Sequence, residues 1–414
     1  MKRENRIRLY KIGCLLFAAL LLLLPQRNVP YADLRVIATV LGVDDEGGRV
    51  TVSAQLAVPV ASGSGGKASD VASASGDSLG EALEKMEIGI GRRIEYGHLS
   101  TVALGKEMGY KAAKSALSYL LASGKAGASA FLVFCPSTPA SEFIEQAQEL
   151  GDSSDAELRR YITYFKSENH VSTVNVLQFL QSLNAPSHTI FVPCVRLESD
   201  SSEENAQSGG EGGDQGGGQG GGESGGQDAQ SGDQSSGQGG GESGKRKKMV
   251  AADTVAVFGG GKDAPVILDE RTTRGIVWQD GDSRFGLVEL KNVLIDGQTE
   301  ASVTARLTSK QVHAKLTHEG GNACAYKIKV KLKLESMQVL GEQMVQARRK
   351  KALEREFERM IENSVQEAAA VSKERGLDFL ELRTRFYHFC MKGFKTFDLS
   401  KTEVKVKAKV KIVV

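Results

Sequence analysis

Five kinds of residue in this sequence could do chemistry: a lysine behind a glycine run, a serine between glycines, histidines, close carboxylates and cysteines. The run GGGK at residues 259–262 would cradle a phosphate if a Ser or Thr followed its lysine at Walker spacing. Asp263 follows instead, and strand-like runs on both sides make it a hairpin turn. Ser64, between Gly63 and Gly65, lies in a small-residue loop and not at a strand-to-helix elbow. The six histidines are dispersed. His313 and His318 are an odd number of residues apart in a strand pattern, so they face opposite sides and share no metal. His98 opens a strand after Gly97 and reads as structural.

Paired carboxylates fare no better. Asp44-Asp45 and Glu203-Glu204 fall in a turn and a linker. Glu354, Glu358 and Glu362 recur at i, i+4 and read as the solvated outer face of a helix, supported by Arg355 and Arg359. None of the five cysteines stands in a CxxC pair, which argues against zinc. Cys135 and Cys194 end apolar runs and would pair if a disulfide formed; free buried thiols are the favoured state. No acid, base and nucleophile converge, so the chain reads as a non-enzyme without cofactor or metal. A net charge of +2 gives no bulk attraction to nucleic acid.

One charged pattern remains. Tyr326, Ile328, Val330, Leu332 and Leu334 alternate with Lys327, Lys329, Lys331 and Lys333. Val404, Val406, Ala408, Val410 and Ile412 alternate with Lys405, Lys407, Lys409 and Lys411. Two strands, each with one apolar and one lysine face, could put all eight lysines on one side of a sheet. The plain reading is protection of an edge and a solvent face. The sharper one is contact with anionic lipid or an acidic partner.

The elements that carry these residues follow from periodicity. Residues 34–43 and 50–58 form a hairpin around the turn DDEGG, with a further short strand at 71–75. Helices are expected from Leu79, over 108–121, over 141–149 and over 173–183, alternating with strands at 98–104, 128–134 and 189–197. Residues 199–244 are nearly all Gly, Ser, Gln, Asp and Glu, too poor in apolar side chains to offset ordering entropy. As a coil they would span roughly 35–40 Å, a solvated tether or insertion. Strands resume at 254–258 and 265–268. Asp269 caps a short helix through Arg274, and strands follow at 285–290 and 302–318. A long helix runs to about Arg375, with Gly376 as its stop, and a second covers 379–391.

The N-terminus sets the compartment. Lys2, Arg3, Arg6, Arg8 and Lys11 precede an apolar run, residues 12–24, that stops at Pro25. A basic flank before such a run marks a signal or signal-anchor with the rest of the chain outside. The run is shorter than the roughly 20 residues a bilayer core needs. It reaches across if Leu9 and Tyr10 join it and Lys11 snorkels. The anchor residues are Ile12, Leu15, Leu16, Phe17, Leu20, Leu21, Leu22, Leu23 and Leu24, and no small-x-small cleavage site follows. The expected organisation is 1–31 signal-anchor, 32–198 α/β domain, 199–248 linker and 249–414 α+β domain, with a subdivision near 298. The expected fold class is α+β / mixed α/β, with two or three extracytoplasmic domains of mixed sheets that carry helices on one face.

Three groups of motifs follow one another in the first half: Ala32-Asp33-Leu34 with Leu41-Gly42-Val43-Asp44; Gly76 with Leu79-Gly80-Glu81-Ala82-Leu83; and Glu95-Tyr96-Gly97-His98-Leu99 with Gly105. After the linker come Val255-Ala256-Val257-Phe258, residues 271–275 ending in Arg274-Gly275, Trp278, Asp378 and the closing strand. This succession resembles the Ger(x)C family, the C subunits of GerA-type spore germinant receptors. The resemblance implies a membrane-held, non-enzymatic subunit on the outer face of the inner spore membrane. It also implies integral-membrane A- and B-type partners and motif residues of structural role. Family members usually carry a lipid-bearing cysteine after the apolar run; here the sequence is Leu24-Pro25-Gln26-Arg27, and Cys14 lies within the run. Residues 9–24 are therefore expected to stay uncleaved as the anchor. The other reading is an envelope-facing binding protein or hydrolase acting on cell-wall or small-molecule ligands.

Overall fold

The computed structural model describes residues 35–57, 69–148, 173–182, 184–199, 247–259, 262–279, 286–295, 298–318, 324–339, 347–389 and 397–413, together with Gly13, Phe17 and Val171. The anchor residues other than Phe17, and Cys14, lie outside this set. Among the described residues no helix is long and apolar enough to cross a membrane.

The first half builds a large sheet. β1 (Arg35–Glu46), β2 (Arg49–Ala57) and β3 (Ser69–Gly76) form an antiparallel meander. Its first turn, at Gly47 and Gly48, has φ of 63° and 93°, which only glycine adopts without strain. Chain order then alternates: α1 (Leu79–Ile90), β4 (Arg93–Glu95), β5 (Thr101–Leu104), α2 (Tyr110–Ala122), β6 (Phe131–Phe134), α3 (Ala140–Gln148), β7 (Val174–Asn175), α4 (Val176–Ser182) and β8 (Thr189–Ser199). The helical crossovers make β1, β5, β6 and β8 parallel neighbours.

β8 was expected to finish this unit, and it does not. β9 (Lys247–Gly259) pairs antiparallel with β8 from Thr189↔Gly259 to Ser199↔Lys247, and β10 (Lys262–Leu268) pairs with β9. The sheet order is β10-β9-β8-β6-β5-β1-β2-β3. The low-complexity stretch thus leaves and re-enters one hairpin at registered neighbours. It marks a boundary of composition and no boundary of the sheet. Composition cannot reveal this, because both flanks read simply as strand.

The expectation of helices on one face also fails for this sheet. Leu41, Val43, Val102, Leu104, Leu132 and Phe134 pack with α1, α2 and α4. The alternate residues Val40, Ala103 and Val133 pack with Phe143 and Ile144 of α3. Strands buried on both faces require cover on both.

The second sheet has the order β11 (Gly286–Ile295), β12 (Gln298–His318), β13 (Cys324–Val339) and β14 (Thr402–Ile412). Residue 298 opens β12, which pairs with β11 from Ile295↔Gln298 to Gly286↔Leu307. The first three strands are antiparallel, but β14 runs parallel to β13. Between those two strands come α6 (Ala347–Arg375) and α7 (Leu382–Phe389), a long crossover that returns the chain to the starting end. Leu353, Phe357, Ile361 and Val365 of α6 cover the inner face. α5 (Glu270–Val277) starts at Asp269, whose side chain accepts the Thr272 N–H at 2.7 Å.

The two halves meet closely. One face of β9 puts Ala256 and Phe258 into the first core. Its other face puts Val255 and Val257 against Ile276, Ala368, Leu377 and Phe379. Asp263 of β10 accepts the Lys111 N–H at the start of α2, and Thr189 Oγ1 donates to the Asp378 carbonyl at 3.1 Å.

Candidate functional site

The lysine strands are adjacent and in register. β13 and β14 pair Lys327↔Lys405, Lys329↔Lys407, Lys331↔Lys409 and Lys333↔Lys411. All eight side chains are exposed on the face opposite α6. On the other side of β13, Lys315, His313 and Gln311 stand opposite Lys327, Lys329 and Lys331 and are exposed too. Arg306 is exposed opposite Leu287, which is 52% exposed. Lys405 is ion-paired with Glu403 at 2.8 Å. Among the described residues the other seven have no ion pair. Directly opposed like charges are unfavourable: at about 6 Å in water each pair costs about 0.7 kcal/mol, and salt screens only part of it.

Edge protection does not account for this array. β13 is an inner strand, so four of the lysines stand on no edge. The free edge of β14 is covered in another way. Glu362, Glu358 and Glu354 of α6 accept the N–H groups of Ala408, Val410 and Ile412 at 2.9, 3.0 and 3.0 Å. Four helical residues advance about 6 Å and two strand residues about 6.7 Å, so an i, i+4 ladder on an antiparallel helix meets alternate N–H groups of a strand. These glutamates were expected to be a solvated face. They are half-buried and serve as side-chain partners for a strand edge. Their i, i+4 spacing was visible in sequence; the partner strand, tens of residues away, was not.

The motif residues occupy separate places. Gly97 and His98 are exposed in the turn between β4 and β5, while Leu99 is buried and donates its N–H to the Tyr96 carbonyl. Gly105 cradles Asp44: a Cβ there would lie 1.7 Å from Asp44 Oδ1. That buried carboxylate accepts the N–H groups of Ala140 and Ser141 at 2.7 and 3.0 Å, capping α3. Phe258 meets Phe134 and Phe179 edge-on at 5.5 and 5.6 Å. Arg274 pairs with Glu270. Gly275 lets α5 cross α6, since a Cβ would lie 2.1 Å from the Ser364 carbonyl oxygen. Trp278 is buried beside Lys310, whose Nζ donates to the Val277 carbonyl at 3.1 Å.

Asp378, also buried, caps α7 by accepting the N–H groups of Leu382 and Arg383 at 2.8 and 2.6 Å. Desolvation raises its carboxyl above the usual range despite these donors. Cys135 and Cys194 are buried free thiols. Burial pushes Cys194 up to about 11 and Cys135 well above its ordinary value, which leaves both protonated and unreactive at neutral pH. Among the described residues no cluster of His, Cys, Asp and Glu could hold a metal.

What the geometry defines, then, is a mixed α+β protein with a broad basic sheet face and motif residues that build its scaffold. A profile described as "Spore germination protein N-terminal domain" matches residues 32–197, and one described as "Spore germination B3/ GerAC like, C-terminal" matches residues 253–413. The crystal structure of the GerBC protein has a similar fold, with a TM-score of 0.51 and 13% identity over 90% of this chain and 97% of that chain. A search of curated proteins found no match. The chain belongs to the Ger(x)C family, the C subunits of germinant receptors.

Proposed function

We propose that this protein is a non-enzymatic C subunit of a spore germinant receptor, anchored by residues 9–24 on the outer face of the inner spore membrane. It supports nutrient-triggered germination through contacts with integral-membrane A- and B-type subunits and with membrane lipid. The observation that carries the membrane reading is the in-register lysine face, which leaves unfavourable like-charge pairs exposed between an inner strand and its edge neighbour. An anionic lipid surface would relieve that repulsion, each lysine contributing about 1 kcal/mol near the head groups. A sheet face of evenly spaced point charges suits a planar surface better than a single carboxylate or phosphate, for which arginine forks are the usual device. The family's motif residues have scaffold roles in this reading, which agrees with their dispersal.

The test is a chromosomal deletion in the native host, followed by membrane fractionation of spores complemented with a tagged copy. The expected result is loss of germination to one class of nutrient, with the tagged chain in the membrane fraction and its N-terminus intact. Normal germination of the deletion strain, or a soluble chain starting near Asp33, would overturn the reading.

A further inference from the structure

A groove of about 330 Å³ lies between the start of α1 and the middle of α2, beside the turn that joins β1 to β2. That volume is at the small end of the range for ligand-binding sites. Its floor is apolar, with Leu79 and Met108 7% and 1% exposed. Its more open lining residues include Asp45, Asp77 and Tyr119.

The fold leaves negative charge uncompensated at this groove. The start of α1 is closed by a reciprocal cap: Ser78 Oγ accepts the Glu81 N–H at 3.2 Å, and the Glu81 carboxylate accepts the Asp77 N–H at 2.8 Å. The Asp77 carboxylate is therefore not needed as a cap. It has no hydrogen-bond or ion-pair partner among the described residues. Asp45 Oδ1 accepts the Gly48 N–H of the turn at 3.0 Å, and Asp45 has no ion pair among the described residues. The neighbouring cations are engaged elsewhere. Lys85 is paired with Glu81 at 2.7 Å, and Arg49 is drawn to that same carboxylate. Two full negative charges over an apolar floor repel anionic lipid and other acids and attract a cation.

Tyr119 adds a separate element. Its ring is 41% exposed, and a Cβ on Gly80 would lie 2.8 Å from its hydroxyl, so the glycine lets the tyrosine lean against α1. A tyrosine ring attracts an ammonium or guanidinium, and exposed aromatic residues are enriched where proteins meet.

We infer that this groove is a protein-docking site that takes a lysine or arginine side chain of a partner polypeptide. The aliphatic stem lies on Leu79 and Met108, and the cationic head meets Asp45, Asp77 and the Tyr119 ring. Long basic side chains suit such a place, because they bury the stem and keep the head polar. The site rests on the reading of the chain as a subunit that works through protein contacts. It belongs to the first half of the chain and is opposite in charge to the lysine face.

The full chain in detergent is examined by saturation-transfer NMR with two blocked tripeptides, acetyl-Gly-Lys-Gly-amide and its counterpart with norleucine in place of lysine. Transfer to the lysine methylenes, fading as salt is raised, is expected for the first peptide and not for the second. The dissociation constant should rise at least about tenfold in the Asp45→Asn, Asp77→Asn double variant and in Ser115→Trp. Asparagine at 45 keeps an oxygen for the Gly48 N–H. Ser115 is exposed at the groove, so its variant blocks the site without touching the cap or the turn. Equal transfer to the norleucine peptide would overturn the inference, as would unchanged affinity in both variants or no transfer at low salt. Displacement of the lysine peptide by calcium chloride at matched ionic strength would mark a metal site and overturn it too. None of these outcomes bears on the deletion and fractionation experiment, so the docking site can fail while the germination reading stands.

Discussion

Glu358 of α6 accepts the backbone N–H of Val410, the residue opposite Leu332 in the lysine-bearing strand pair, at 3.0 Å. The same helix repeats the contact one turn away on either side, at Ala408 and Ile412. A side-chain ladder thus closes a sheet edge that would otherwise be open for pairing with another chain. Glu358→Ala should cost about 1–2 kcal/mol in urea unfolding, because it leaves a half-buried donor unmet. Glu358→Gln, which keeps a carbonyl acceptor, should cost less. Replacing all three glutamates with alanine should add concentration-dependent association, seen by sedimentation velocity. A fully monomeric triple variant of unchanged stability would refute the role.

Gly105 and Asp44 form a second coupled pair. Gly105→Ala would drive a Cβ into Asp44 Oδ1 and unseat the cap on α3. A loss of about 2–4 kcal/mol is expected, from the overpacking and the lost cap together. In the Gly105→Ala, Asp44→Ala double variant the clash is relieved, so the two losses should fall well short of additive. Strict additivity would show that the two sites act independently.

The stretch between Ser199 and Lys247 closes a hairpin whose strand ends are already neighbours. Replacing residues 200–246 with a four-residue turn should therefore preserve the fold. It should raise stability by about 2 kcal/mol through the lower entropy of closing a shorter loop. An unfolded or markedly destabilised product, with changed far-ultraviolet circular dichroism, would contradict the β8–β9 pairing.

Asp378 gives a pH dependence with a definite sign. Burial raises its carboxyl above the ordinary aspartate value of 3.8, so the folded chain holds this proton more tightly than the unfolded one. The resulting stability is fully present below 3.8 and is lost as pH rises through the raised folded value. Relative to Asp378→Asn, the natural protein should lose stability as pH climbs through that window. Chemical denaturation of both proteins at several pH values checks this. A relative stability that grows with pH would mean that the two backbone donors outweigh burial.

Local features were legible in the sequence and long-range ones were not. Asp269 and Thr272 are close in the chain, so the cap on α5 could be read directly, as could the alternation that puts Lys327 and Lys405 on outward faces. The parallel pairing of β13 with β14 depends on the crossover through α6, which no local pattern encodes. The continuation of the first sheet from Ser199 to Lys247 depends on strand ends that the chain separates by its stretch poorest in apolar side chains. The i, i+4 spacing of Glu354, Glu358 and Glu362 fits a solvated helix face as well as a strand edge, and only the register of β14 decides between them.

The proposed membrane role sets the lysine face against anionic lipid. The most direct measurement is flotation of the protein, truncated before Arg35, with vesicles containing about a third phosphatidylglycerol. The expected result is binding that weakens steeply between about 50 and 300 mM salt. That binding should vanish when Lys327, Lys329, Lys331, Lys333, Lys405, Lys407, Lys409 and Lys411 are changed to Gln with the fold intact. Neutral vesicles should not bind the unchanged protein. Equal binding by the glutamine variant, or none by the unchanged protein at low salt, would contradict the account.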